Sequence, residues 1–338
     1  MSKSTLRIAV VLAGAVAKGA FEAGVLQALA EKRVDIVRIV GSSSGALNGT
    51  LLASAVRKHE LQHGAAQLVE LWRDRAGWTD VFHASLEVLR TRQGVSDREK
   101  VLALLRRYVT PSATGADIDL RLLVAPLAGT AGTIGLRPAT TYEAMLQFTG
   151  KDFATTDSLA RVFDGATASS AFPLVFAPVE VEGLGPCVDG GAVNNTPLKW
   201  ALDGTQHDQI DAIVVVATSP ELRLGPPPSD LHTLELASHL ANMLIGERLY
   251  RDLHDAAEVN ASLARLDELV AQGILDSTQL GAVRTAIGWD GFRPVKIVEV
   301  RPLEELPGSS FSGFFDEDLR EQYIQAGITR GRDVLGSL

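Results

Sequence analysis

The stretch IVGSSSGALNG, residues 39–49, sets three consecutive serines between two glycines. A β-branched run, VRIVGSS at 37–43, leads into it. SGALNGTLLASAVRKHE at 44–60 follows, small on one side and aliphatic on the other. The reading is strand, tight turn, helix. In a G-x-S-x-G turn of that kind the central residue, Ser43, is lifted clear of both elements. Gly41 and Gly45 flank it because a side chain at either would collide with the neighbouring strand or helix. Ser42 closes the strand. Ser44 opens the helix, where its backbone N–H lies at the positive end of the helix dipole. As a bare pattern, G-S-S-S-G also reads as a flexible turn whose serines cap a helix; the strand before it and the helix after it favour a nucleophile.

Upstream, RIAVVLAG at 7–14 reads as a buried strand, and AKGAFEAGVLQALAEKR at 17–33 has helical spacing at Phe21, Val25, Leu26 and Leu29. The first part is therefore β-α-β-α, the pattern of a parallel sheet covered by helices. Downstream, helices are expected at AAQLVELWRDR (65–75), DREKVLALLRRYV (97–109) and DSLARVFDGATASSAF (157–172). Strands are expected at LRLLVAPLAGT (120–130), GTIGLRP (132–138), AIVVVATSP (212–220) and VKIVEVRP (295–302). Extended segments broken by glycine turns fill 173–193. A helical insertion at about 228–290 follows the linker-like RLGPPPSD (223–230), and a helix at 317–335 closes the chain. The expectation is one domain over 1–338, a three-layer α/β/α fold with a mostly parallel central sheet.

Composition narrows the function classes. A formal net charge of −9 argues against a general nucleic-acid binder. The single cysteine, Cys187, allows no intrachain disulfide and agrees with a reducing compartment. The N-terminal apolar run is short and meets Lys18 and Glu22, so it reads as a buried strand, with no signal peptide. No apolar run approaches the ~20 residues of a membrane-spanning helix. A cytoplasmic protein, at most peripheral on a membrane, is expected. No Cys/His cluster or acidic loop suggests a metal, and GAVAKG fits neither a P-loop nor a dinucleotide fingerprint, so no cofactor is expected.

A serine nucleophile needs a base. Seven histidines are present, none with a motif around it: His59, His63, His83, His207, His232, His239 and His254. CVDGGAVNNTP at 187–197 offers an alternative. There Asp189 follows a short apolar step and precedes Gly190 and Gly191, which let the backbone turn sharply and leave the carboxylate accessible. A carboxylate can take the serine proton directly if it is close and desolvated enough to raise its pKa from about 3.9. The competing reading is that Asp-Gly is a hairpin turn.

Three motifs in order then resemble the patatin-like phospholipase family: LAGAVAKGAFEAGVLQAL at 12–29, similar to the family's glycine-rich oxyanion segment; GSSSGALNG at 41–49; and DGG at 189–191. ATASSAFPLVFAPV at 166–179 and the C-terminal helix also resemble the family. The resemblance implies a Ser–Asp dyad without histidine, with Ser43 as nucleophile and Asp189 as base, acting on lipid acyl esters. It implies an oxyanion hole from Gly14, Ala15, Val16 and Ser44, supported by Lys18 and Gly19. Two of the family's three glycines are replaced here, by Ala15 and Val16. Because positive φ strains a β-branched residue, the loop is expected either to form with negative φ or to leave the hole distorted, where loss of one donor costs about 10²–10³ in rate. The substrate expected is a lipid or phospholipid. Two rivals are a non-catalytic lipid- or protein-binding module and an esterase whose histidine comes from the insertion (His232, His239 or His254). The apolar positions Leu234, Leu240, Met243, Leu244 and Leu249 in that insertion read as core cover more readily than as a lid. The tryptophans Trp72, Trp78, Trp200 and Trp289 read as core.

Overall fold

Alternation along the first strand sets the layers. In the computed structural model, β1 (Leu6–Leu12) turns Ile8, Val10 and Leu12 to one face of the sheet and Ala9 and Val11 to the other, as the two-residue period of a strand requires. The structure describes residues 5–83, 96–134, 137–173, 175–202, 210–221, 233–289 and 292–338; the linker-like 223–230 lies outside them.

After β1 come α1 (Gly19–Ala30), β2 (Val34–Gly41), α2 (Ser44–Arg57), α3 (Leu61–Arg75), the short α4 (Trp78–Val81) and α5 (Glu99–Tyr108). β3 (Asp119–Pro126) is followed by a hairpin, β4 (Thr130–Ile134) and β5 (Arg137–Thr141), which forms a separate two-stranded sheet. Then follow β6 (Ala144–Phe148), α6 (Thr156–Ser169), β7 (Val179–Val181), β8 (Gly185–Asp189), α7 (Leu198–Leu202) and β9 (Ala212–Val216). The last elements are α8 (Thr233–Ala271), α9 (Ser277–Ala286), β10 (Lys296–Val300) and α10 (Glu317–Val334).

The central sheet runs β10-β9-β1-β2-β3-β8-β7. Its first five strands pair in parallel. β3 then meets two antiparallel partners on its remaining edge, β6 along Leu120–Val124 and β8 along Val124–Pro126. The sheet is thus mixed and mostly parallel. Helices α1, α2, α3 and α10 bury Phe21, Leu26, Leu52, Leu68 and Tyr323 against one face, while α7 and α8 bring Leu198, Ala201 and Leu249 to the other. The fold class agrees with the expectation. β6 is an addition: AMLQF carries no β-branched residue, and its hydrogen bonds to β3, not its composition, make it a strand.

Buried Arg38 ties β2 to its neighbours. Its Nε donates to Asp119 at 2.7 Å and an Nη donates to the Ala201 carbonyl at 2.9 Å. Among the described residues no helix is long and apolar enough to cross a membrane, and no group of three His, Cys, Asp or Glu side chains could hold a metal.

Candidate active site

β2 ends at Gly41 and α2 begins at Ser44, so Ser42 and Ser43 alone turn the chain from strand to helix. The turn is tight enough to demand glycine on both sides. A Cβ at Gly41 would stand 2.5 Å from the Gly45 carbonyl oxygen, and one at Gly45 would stand 2.4 Å from that of Leu12. Ser43 itself sits at φ 55°, ψ −128°. A non-glycine residue held there stores about 1–3 kcal/mol of strain, which the surrounding hydrogen bonds must sustain. One is direct: the Ser43 N–H donates to Ser169 Oγ at the end of α6, at 3.2 Å.

β8 runs antiparallel to β3 and delivers Asp189 to the same end of the sheet. The Ser43 hydroxyl donates to Asp189 Oδ2 at 2.6 Å. The other carboxyl oxygen, Oδ1, accepts from the Gly191 N–H at 2.7 Å, within the 3-10 turn Gly190–Ala192. Asp189 is 2% exposed. Burial pushes its carboxyl up to about 7, against the opposing pull of the Ser43 and Gly191 hydrogen bonds. Ser43 and Asp189, proposed from separate motifs, are in direct contact. Among the described residues no histidine hydrogen-bonds to Ser43; His254 instead stacks on Tyr250 in α8. His207 and His232 lie outside the described residues, as does the side chain of His239.

The loop from Gly14 to Lys18 departs from the first of these expectations at Val16. Its φ is +53°, not negative. Contacts on both sides impose the strain. The Gly14 N–H donates to the Asn195 carbonyl at 2.9 Å, and Asn195 Nδ2 donates back to the Gly14 carbonyl at 2.8 Å. Beyond Val16, the Ala17 N–H donates to the Ser310 carbonyl at 3.0 Å. Ala15 has φ −150° and its N–H donates to Ser44 Oγ at 3.0 Å. Of the four N–H groups expected to face an oxyanion, those of Gly14 and Ala15 are therefore already bonded within the protein. Those of Val16 and Ser44 have no acceptor among the described residues, and both residues border the cavity that Ser43 faces. Lys18 closes the 3-10 turn Val16–Lys18 before Gly19 starts α1. Burial lowers the Lys18 pKa, partly offset by Glu305.

That cavity is almost wholly apolar, with Leu47, Leu51, Leu71, Phe172, Phe176 and Phe311 among its walls. One wall hangs on a buried polar chain absent from the sequence reading. Trp72 Nε1 donates to Asn48 Oδ1 at 2.8 Å, and Asn48 Nδ2 donates to Glu22 Oε2 at 2.8 Å. Glu22 is fully buried, and burial raises its carboxyl well above the usual range despite the Asn48 bond. Helical periodicity marks Glu22 only as a polar helix position.

Asn195 is the other group that sequence reasoning passed over, although it stands in the quoted aspartate motif. Asn195→Ala should orphan the Gly14 carbonyl and cost about 1 kcal/mol, read as a lower urea midpoint at unchanged m-value.

These features define an α/β protein with a buried serine–carboxylate contact at the carboxyl ends of β1 and β2, opening on an apolar cavity. A family profile described as patatin-like phospholipase matches residues 10–202, more than half of the chain. The chain belongs to the patatin-like phospholipase family, which places it among the lipid acyl hydrolases. Among solved structures, the crystal structure of VipD from Legionella pneumophila aligns at a TM-score of 0.41 and 11% identity, over 98% of this chain and 67% of that one. No curated protein matches the chain.

Proposed function

We propose that the protein cleaves fatty-acyl esters of lipids through Ser43 and Asp189, with an acyl-enzyme intermediate. The observation that carries this is the 2.6 Å hydrogen bond from Ser43 Oγ to Asp189, made beside an apolar cavity that Ser43 helps to line. Ionised Asp189 accepts the Ser43 proton as Oγ attacks the ester carbonyl carbon. The oxyanion so formed is held by the N–H groups of Val16 and Ser44, at the N-terminus of α2. The tetrahedral intermediate collapses, the proton passes from Asp189 to the departing alcohol, and the acyl group stays on Ser43. Water then repeats the sequence: Asp189 takes its proton, hydroxide adds to the acyl carbon, and the fatty acid leaves as Ser43 recovers the proton. The apolar walls suit the acyl chain.

Labelling with a fluorophosphonate probe tests the reading. Modification confined to Ser43, with matching loss of esterase activity, is the expected result; a folded protein left unlabelled would refute it. A pH profile gives a second check. Asp189 must be ionised to act as base, and its carboxyl is raised to about 7. kcat/KM on a water-soluble ester should therefore rise with pH through about 7, with the slope of one proton, and level off above it. A plateau extending down to pH 5 would assign the base to another group.

A further inference from the structure

An unbroken series of aromatic rings connects the Ser43 cavity with the protein surface. Phe82 and Phe314, both in the cavity wall, meet edge to face at 5.0 Å. Phe82 stacks on Trp78 at 4.0 Å, and Trp78 on Phe315 at 4.7 Å. In the other direction Phe314 packs near Phe311, and Phe311 meets Phe172 at 5.7 Å. The rings at the two ends of the series face solvent: Trp78 is 38% exposed, Phe315 67% and Phe172 39%. The expectation that the tryptophans are core residues holds at Trp72 and is corrected at Trp78, while Trp200 and Trp289 are half-buried. Large aromatics left in water beside a cavity call for an occupant.

The surroundings of Phe315 constrain its charge. Asp316, Glu317 and Asp318 follow directly, and with Glu321 and Arg73 they line a shallow depression beside the ring. Arg73 is held by Glu321 at 2.7 Å. Lys100 donates to the Thr79 carbonyl and keeps its charge. Among the described residues the four carboxylates outnumber Arg73 and Lys100, so the margin of Phe315 is net acidic and disfavours an anionic partner.

The connection of these rings constrains the kind of partner. Through Phe82, a wall residue, Trp78 and Phe315 are continuous with the cavity at Ser43, so whatever docks there is placed to send an apolar chain inward. We propose that Trp78 and Phe315 form a docking patch for a lipid surface with electrically neutral, zwitterionic headgroups; the proposal rests on the reading of the cavity as the acyl site. Aromatic rings with one wet edge suit the interface between headgroups and acyl chains. The acidic margin withholds the attraction that basic patches gain from anionic lipid.

The test is vesicle sedimentation with the full chain carrying Ser43→Ala, so that lipid is not consumed. Phosphatidylcholine vesicles are compared at low salt with an equimolar mixture of phosphatidylcholine and phosphatidylglycerol. Binding to phosphatidylcholine is expected, with no gain from the anionic lipid. Phe315→Asp, at the most exposed ring, should weaken it at least about tenfold without shifting the melting temperature, and Trp78→Ala should act in the same direction. Three results would overturn the proposal: no binding to phosphatidylcholine, tighter binding to the anionic mixture, or binding indifferent to Phe315→Asp. A Phe315-dependent dimer in size-exclusion chromatography would overturn it too, by making a second copy the occupant. Hydrolysis of a water-soluble ester by the unsubstituted protein separates the two readings. Ester cleavage without vesicle binding removes the docking patch alone, and Phe315-dependent binding without ester cleavage removes the hydrolase alone.

Discussion

Ser43→Ala should lower kcat/KM on a soluble ester by at least about 10⁴-fold and leave a folded protein. No neighbouring hydroxyl is placed to substitute. Ser42 Oγ is buried and has no hydrogen-bond partner among the described residues, whereas Ser44 Oγ is occupied by the Ala15 N–H. The neighbours are therefore graded controls. Ser42→Ala should leave the rate within a fewfold of wild type. Ser44→Ala should fall between, because it orphans a loop N–H beside Val16. Steady-state kinetics of the three variants, with circular dichroism on each, decides the matter. Equal losses at all three positions would mean that the turn was damaged and no nucleophile removed.

Asp189→Asn should match that loss, and adding it to Ser43→Ala should worsen nothing, since groups acting as one unit fail together. The geometry explains why an amide cannot stand in. Both carboxyl oxygens of Asp189 are acceptors, one for Ser43 and one for the Gly191 N–H. Asparagine has a single acceptor, which the Gly191 N–H claims, so its NH₂ is turned to Ser43 and donates where it ought to receive. The same variant carries an opposite effect on stability. The folded pKa of Asp189, about 7, lies above the ~3.9 of an unfolded chain, so the native state holds the proton more tightly. Its stabilising contribution is complete below about pH 4 and is lost as pH rises through 7. Relative to wild type, Asp189→Asn should thus gain thermal stability between pH 5 and pH 8. Clearly additive kinetic losses in the double variant, or a melting-temperature difference flat across that range, would speak against a coupled, desolvated pair.

What could be read from the chain follows how local its cause is. The turn at Ser43 is written in Gly41 and Gly45, whose missing side chains are needed by atoms within a few residues or in the adjoining strand. Asp189 was readable for a similar reason, since the turn that orients it uses the next two residues. Val16 was misjudged because nothing nearby forces its φ positive. Asn195 and Ser310 do so, from far along the chain. The same holds for the aromatic series: α4 is four residues long and too short to show periodicity, so only the folded chain reveals that Trp78 stands between Phe82 and Phe315. In α8, Leu249 is buried as a core-covering residue should be, while Met243 is half exposed; the side chains of Leu234, Leu240 and Leu244 lie outside the described residues.

The antiparallel arrival of β8 also bears on how the protein comes into being. Ser43 and Asp189 are 146 residues apart, so their contact closes one of the longer loops in the molecule and gains nothing until the intervening chain is ordered. The β-α-β-α unit carrying Ser43 leans on distant chain as well: β1 pairs with β9, and the Ser43 N–H donates to Ser169. On the proposed reading of Ser43 and Asp189 as a dyad, the site is complete only in a chain whose β8 has docked on β3.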